Sequence, residues 1–151
     1  MHLRQAMLVN GLLFNSESWH NVIEADVKGI EKIYEMFLRF LLGSHSKAPL
    51  DLPLKGAIPS RFILSSRRMN YLQTILKRED EVLTKRVLKA QLEDTLEGDF
   101  ANMVKTDFQV MEIPFDISFV ETTSIDFFKS FIKKKIQKAA LEYLIHKKHS
   151  K

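Results

Sequence analysis

This sequence predicts an all-α fold: a compact multi-helix bundle of about five to six helices with one long proline-containing connection. Apolar residues recur at helical spacing along most of the chain, while glycine and proline concentrate in a single stretch. The one alternating apolar run, within Ile113 to Thr123, has no evident second strand to pair with. At 151 residues the chain can bury a core without metal or disulfide staples. It reads as a single helical domain over 1–145 followed by a flexible basic tail at 146–151.

Leu3 to Leu13 is apolar enough for a helix despite Gly11, and Asn15, Ser16 and Glu17 mark a turn or new cap before Trp19. From Glu24 to Leu42, Val27, Ile30, Ile33, Tyr34, Phe37, Leu38 and Leu41 keep the helical period, and Gly43 stands where a left-handed C-terminal cap is wanted. Gly43 to Ser60 holds Gly43, Pro49, Pro53, Gly56 and Pro59, which excludes a regular helix and requires an extended connection pinned by Leu50, Leu52, Leu54 and Ile58. Ile58 to Arg78 then starts on a proline and lays Phe62, Leu64, Ser65, Met69, Leu72, Ile75 and Leu76 along one stripe. Its other face carries Arg61, Arg67, Arg68, Lys77 and Arg78.

Glu79, Asp80 and Glu81 are expected to open the next helix, through Leu92, because acids complement the macrodipole there; Val82, Leu83, Arg86, Val87, Ala90 and Gln91 form its stripe. Gly98 and Asp99 separate it from a helix over Phe100 to Met111 that ends before Pro114. Ile113 to Thr123 reads as an ordered loop. Ser124 caps a final helix whose buried side is Ile125, Phe128, Phe131, Ile132, Ile136, Ala139, Ala140, Tyr143 and Leu144.

The net charge of +4 is unevenly distributed. Residues 129–151 carry eight lysines against the single acid Glu142; that segment's +7 exceeds the whole, leaving residues 1–128 at −3. A basic C-terminal end of this kind suits an anionic polymer, although lysines also collect at helix ends for macrodipole reasons. The absence of cysteine excludes thiolate zinc sites and cysteine nucleophiles. No apolar run reaches the roughly 18 residues of a membrane span, and a signal-peptide pattern is lacking, so an intracellular protein, nuclear or cytoplasmic and without a membrane partner, is expected.

Four segments in order, LVNGLLFNSESW (Leu8 to Trp19), IEKIYEMFLRFLLG (Ile30 to Gly43), GAIPSRFILSSRRMNYL (Gly56 to Leu72) and the lysine-rich Phe128 to Lys151, carry a resemblance across nearly the whole chain. It resembles the region after the catalytic core in reverse transcriptases of non-LTR (LINE-like) retrotransposons. The resemblance implies thumb-proximal and linker helices that hold template and primer, with RNA or an RNA/DNA hybrid as partner. The sequence departs from that family in lacking the polymerase palm upstream and the Cys/His zinc knuckle downstream.

The candidate nucleic-acid-binding residues are Arg61, Arg67, Arg68, Lys77 and Arg78 on the basic helix and Lys129, Lys133, Lys134, Lys135 and Lys138 on the last. Guanidinium forks match phosphate oxygens, and ammonium groups add point charge. The competing reading of the arginines is ion pairing within the bundle, and adjacent Arg67 and Arg68, about 100° apart, cannot share one contact. Exchanging Arg61, Arg67 and Arg68 together for Glu is expected to abolish binding with helix content intact. Trp19 suits a core anchor better than a base-stacking surface, and His146 with His149 lacks a third ligand, so neither metal nor cofactor is expected. Asp99, Asp107, Glu112 and Asp116 are too scattered to hold two divalent ions, so the chain is read as non-catalytic. The alternative function is a helical protein–protein or self-association module built on exposed faces bearing residues such as Leu12, Leu13, Phe14, Phe127, Phe128 and Phe131, or a fragment without independent function.

Overall fold

Apolar stripes at helical spacing must bury themselves against one another, and here they do so around the helix that begins at Ser60. The computed structural model describes residues 12, 13, 15–18, 21–41 and 58–149. Within them a 3-10 turn at Ser16–Ser18 precedes six α-helices: α1 (Glu24–Leu41), α2 (Ser60–Leu76), α3 (Leu83–Glu93), α4 (Phe100–Val110), α5 (Ile117–Thr122) and α6 (Ile125–His149). The described residues contain no strand. The all-α bundle expected from periodicity is the observed architecture, and none of its described helices is long and apolar enough to cross a membrane. The expected Leu3–Leu13 helix (but for its last two residues), Phe14, Trp19 and the connection 43–57 lie outside the described residues.

Pro59 precedes α2 with φ −54° and ψ 142°, an extended conformation its ring favours. Buried residues then wrap more than half of the α2 circumference, including Phe62, Leu64, Arg68, Met69, Leu72, Gln73 and Ile75. α2 packs against α1, α3, α4, α5, α6 and the 3-10 turn. The main core joins Met69, Leu72 and Leu76 to Leu88 of α3, Val104 and Phe108 of α4, Val120 of α5, and Phe128, Ile132, Ile136 and Ala140 of α6. A second cluster sets Tyr34 and Leu38 of α1 against Leu12, Ile63 and Leu144. The basic helix is therefore the centre of the bundle, with no broad outer face.

Three elements differ from expectation. α3 starts at Leu83, since Glu79 to Glu81 form a turn whose Asp80 faces a lysine. Lys85 Nζ donates to the Arg78 carbonyl at 2.8 Å and pairs with Asp80 Oδ1 at 2.9 Å. This buried lysine takes up a carbonyl of the turn that follows α2. Its hydrogen bond and charge hold the Asp80 carboxyl below the usual range, and the same hydrogen bond raises the Lys85 ammonium. The inward side of α3 is consequently Lys85 and Leu88, and the expected stripe members Leu83 and Val87 are exposed.

Ile113 to Thr123 contains the short helix α5 where a loop was expected. Asp116 caps it by accepting from the Ser118 and Phe119 N–H groups at 3.0 and 3.4 Å, and Gln73 Nε2 donates to the Val120 and Thr123 carbonyls at 3.2 and 2.9 Å. Six residues are too few for a helical period to stand out in sequence, so tertiary partners decide this turn. Ser124 does cap α6, its Oγ accepting from Phe127 N–H at 3.2 Å, but Ile125 is half exposed. α6 also continues to His149, into the stretch expected to be a tail.

The end of α4 carries a testable strain. Glu112 has φ 57°, while Ile113 N–H donates to the Phe108 carbonyl at 2.9 Å and closes the helix. This left-handed position favours glycine, so Glu112→Gly is expected to raise stability by about 0.5–1 kcal/mol in urea unfolding.

Candidate nucleic-acid interface

Long cationic side chains serve a polyanion only where their heads reach solvent, and the structure divides the ten candidates on that criterion. Arg61, in the first turn of α2, donates from Nε and Nη2 to Glu31 and from Nη2 to Glu24 at 3.0 Å. Its guanidinium also lies 4.8 Å from the Tyr143 ring centroid. The Glu31 hydrogen bond is the largest of the effects raising its already high pKa. Arg67 donates to the Leu13 carbonyl at 3.1 Å and sits 3.9 Å from Glu17, tying the 3-10 turn to α2. Arg68 is buried, and its fork meets Asp107 of α4 at 2.7 and 2.9 Å, with Ser65 Oγ donating to the same carboxylate at 2.7 Å. These three arginines join helices inside the bundle and face protein carboxylates and carbonyls.

The partners were legible, though not as partners. Glu31 falls on the stripe of Val27, Tyr34 and Leu38, and Asp107 on that of Met103, Val104, Phe108 and Met111. A carboxylate within an apolar stripe needs a cation, and Arg68 falls between Leu64 and Leu72 on the matching stripe of α2. A cleft of about 310 Å³ opens over this network, lined by Val22, Glu24, Arg61, Arg68, Asp107 and Tyr143 among others. Its charged groups are engaged with one another.

Lys77 and Arg78 follow the end of α2, both exposed; Lys77 Nζ donates to the Glu121 carbonyl at 3.0 Å. On α6, Lys129, Lys133, Lys134 and Lys138 are exposed. They form two rows of like charge at i, i+4, Lys129 with Lys133 and Lys134 with Lys138, set on either side of exposed Ser130 and Gln137. Lys135 is half-buried, its Nζ 5.7 Å from the Phe131 ring centroid. That ring stacks on Phe127 at 6.4 Å with an interplanar angle of 11° and meets Phe119 edge-on. Phe127 is 58% exposed and lies beside the Lys134 and Lys138 row. The α6 lysines thus share one solvent-facing surface with an aromatic platform anchored to the core.

Three of the four scattered carboxylates have structural partners. Asp99 accepts from Leu96 N–H at 3.0 Å, Asp107 holds Arg68, and Asp116 caps α5. His146 is exposed at the end of α6, and the His149 side chain lies outside the described residues. Compared with family models, curated proteins and solved structures, the chain matches none.

Proposed function

We propose that this chain is a non-catalytic nucleic-acid-binding module of the kind its sequence resembles, the helical region after the catalytic core of a retrotransposon reverse transcriptase. It captures an RNA or RNA/DNA backbone electrostatically and without sequence preference. The observation that carries this reading is the double row of exposed lysines on α6. Mutual repulsion within each row costs a few tenths of a kcal/mol, and a phosphate backbone would relieve it. Lys77 and Arg78 contribute at the α5 end of α2, whereas Arg61, Arg67 and Arg68 serve to hold α2 in register.

The test is fluorescence anisotropy with labelled single-stranded RNA, duplex DNA and RNA/DNA hybrid over a range of salt. If the four exposed lysines each neutralise a phosphate, the log–log salt slope is about −3.6 on duplex and about −2.8 on single strand. A flat response would overturn the reading. Phe127→Ala is expected to weaken single-stranded RNA by roughly 1–3 kcal/mol, the worth of one stacked base, and to leave duplex binding unchanged.

A second reading, a helical module that engages protein, is supported by one observation: Ile33, Met36, Phe37 and Phe40 lie exposed on α1.

A further inference from the structure

The outermost line of α6 mixes charge with apolar surface. Phe127, Lys134, Lys138, Leu141 and Ile145 stand at i, i+7, i+11, i+14 and i+18, within about 60° of arc, and all five are exposed. An ordinary surface helix keeps apolar side chains off that line. Phe127 is the one ring on it, and its position is fixed from beneath. It lies nearly parallel to Phe131, Phe131 meets Phe119 edge-on at 5.5 Å, and Phe119 meets the buried Phe128 edge-on at 6.3 Å. Lys135 Nζ sits over the Phe131 ring, so the face this platform offers to a ligand is that of Phe127. A ring already ordered by the fold loses little freedom on binding, and every nucleobase has a π-face to meet it.

We propose that this line takes an unpaired polynucleotide strand in preference to a duplex, one base stacking on Phe127 while the phosphates that follow lie along Lys134 and Lys138. The inference deepens the electrostatic-capture reading and rests on it. Lys134 and Lys138 stand about 10 and 16 Å from Phe127 along the helix axis, and a stacked strand advances about 3.4 Å per phosphate, so the site spans about five nucleotides. Charge complementarity selects a polyanion; the ring selects the strand. In a duplex the neighbouring pairs cover both faces of every interior base. Stacking on one aromatic ring is worth about 5- to 140-fold in affinity, no more than the cost of drawing a paired base out of its helix, so a duplex meets the lysines alone. Leu141 and Ile145, each 49% exposed, continue the line without a ring, which places the stacked base at the N-terminal end of the site.

The probes, each about 12 nucleotides long so as to cover the site, are a labelled single strand, the same backbone carrying stable abasic sites, and the strand annealed to its complement. The wild-type chain is expected to bind the intact strand about 5- to 140-fold more tightly than the abasic one, and more tightly than the duplex near physiological salt. The ratio of intact to abasic affinity should hold as salt rises, because stacking releases no counterions. Phe127→Leu keeps an apolar side chain over Phe131 but no flat ring, and should bring that ratio close to one; Phe127→Tyr keeps the ring and should preserve it. Neither variant should alter duplex affinity, and unchanged duplex binding by Phe127→Leu shows that the variant is folded. Equal affinity for intact and abasic strands, a ratio that persists in Phe127→Leu, or tighter binding of the duplex near physiological salt overturns the proposal and leaves backbone capture in place. Absence of salt-dependent binding to all three probes overturns the capture reading and the proposal with it.

Discussion

Asp107→Ala is expected to destabilise the fold by about 3–5 kcal/mol, the cost of leaving a buried guanidinium without its carboxylate. Arg68 and Asp107 are both nearly inaccessible and meet through two hydrogen bonds, with the Ser65 hydroxyl donating a third to the same carboxylate. The pair bridges α2 and α4, so its loss strikes the central helix. In a chain of this length each kcal/mol moves the melting temperature by about 2–4 °C, which makes the loss large in a thermal melt. Replacing both members, as Arg68→Met with Asp107→Leu, is expected to be far milder, because the desolvation penalty disappears with the charges. A double-mutant cycle in urea separates the two outcomes. Near-additivity of the single replacements would show that the ion pair does not couple the helices.

The same geometry reverses the sequence-based expectation for the arginines. Arg61, Arg67 and Arg68 exchanged together for Glu should unfold the bundle, since Arg61 would confront Glu24 and Glu31, Arg67 Glu17, and Arg68 Asp107. Loss of helix in circular dichroism is the expected result. A folded triple variant lacking only nucleic-acid binding would instead place these side chains on the ligand.

Neutralising the surface lysines is the second large effect, and it falls on binding alone. Changing Lys129, Lys133, Lys134 and Lys138 to Gln is expected to flatten the duplex salt slope by about 0.9 per lysine, leaving only the share of Lys77 and Arg78. All four are exposed, so stability should stay within about 0.5 kcal/mol, with the small gain that follows from removing two like-charged i, i+4 pairs. Opposite signs for affinity and stability distinguish this result from general damage. A retained slope would locate capture elsewhere, with Lys77 and Arg78 the next cations to change.

Helix positions followed from the sequence wherever the apolar period ran for three turns or more. α1, α2 and α4 fall within the expected segments, α6 starts where expected, and Phe128, Ile132, Ile136 and Ala140 form its buried side as their spacing implies. Short elements were harder. α5 shows its Asp116 cap only once Ser118 and Phe119 are helical, and α3 starts late because Asp80 turns to Lys85.

By itself the sequence determined that the chain is helical, where its long helices lie and that its basic charge gathers at one end, because periodicity, turn residues and charge are properties of neighbours along the chain. Only the tertiary structure decided which cations remain outside and which apolar stripe goes in. Arg68 and Lys134 are both candidate phosphate contacts by sequence, yet one finds Asp107 across an interface and the other faces solvent. α1 carries two stripes, one of Val27, Tyr34 and Leu38 and one of Ile33, Met36, Phe37 and Phe40, and the first turns inward with Glu31 to meet Arg61. Local spacing makes both stripes admissible; the choice rests on a cation 30 residues away in sequence, because an ionised carboxylate enters a core only where a charge is waiting for it.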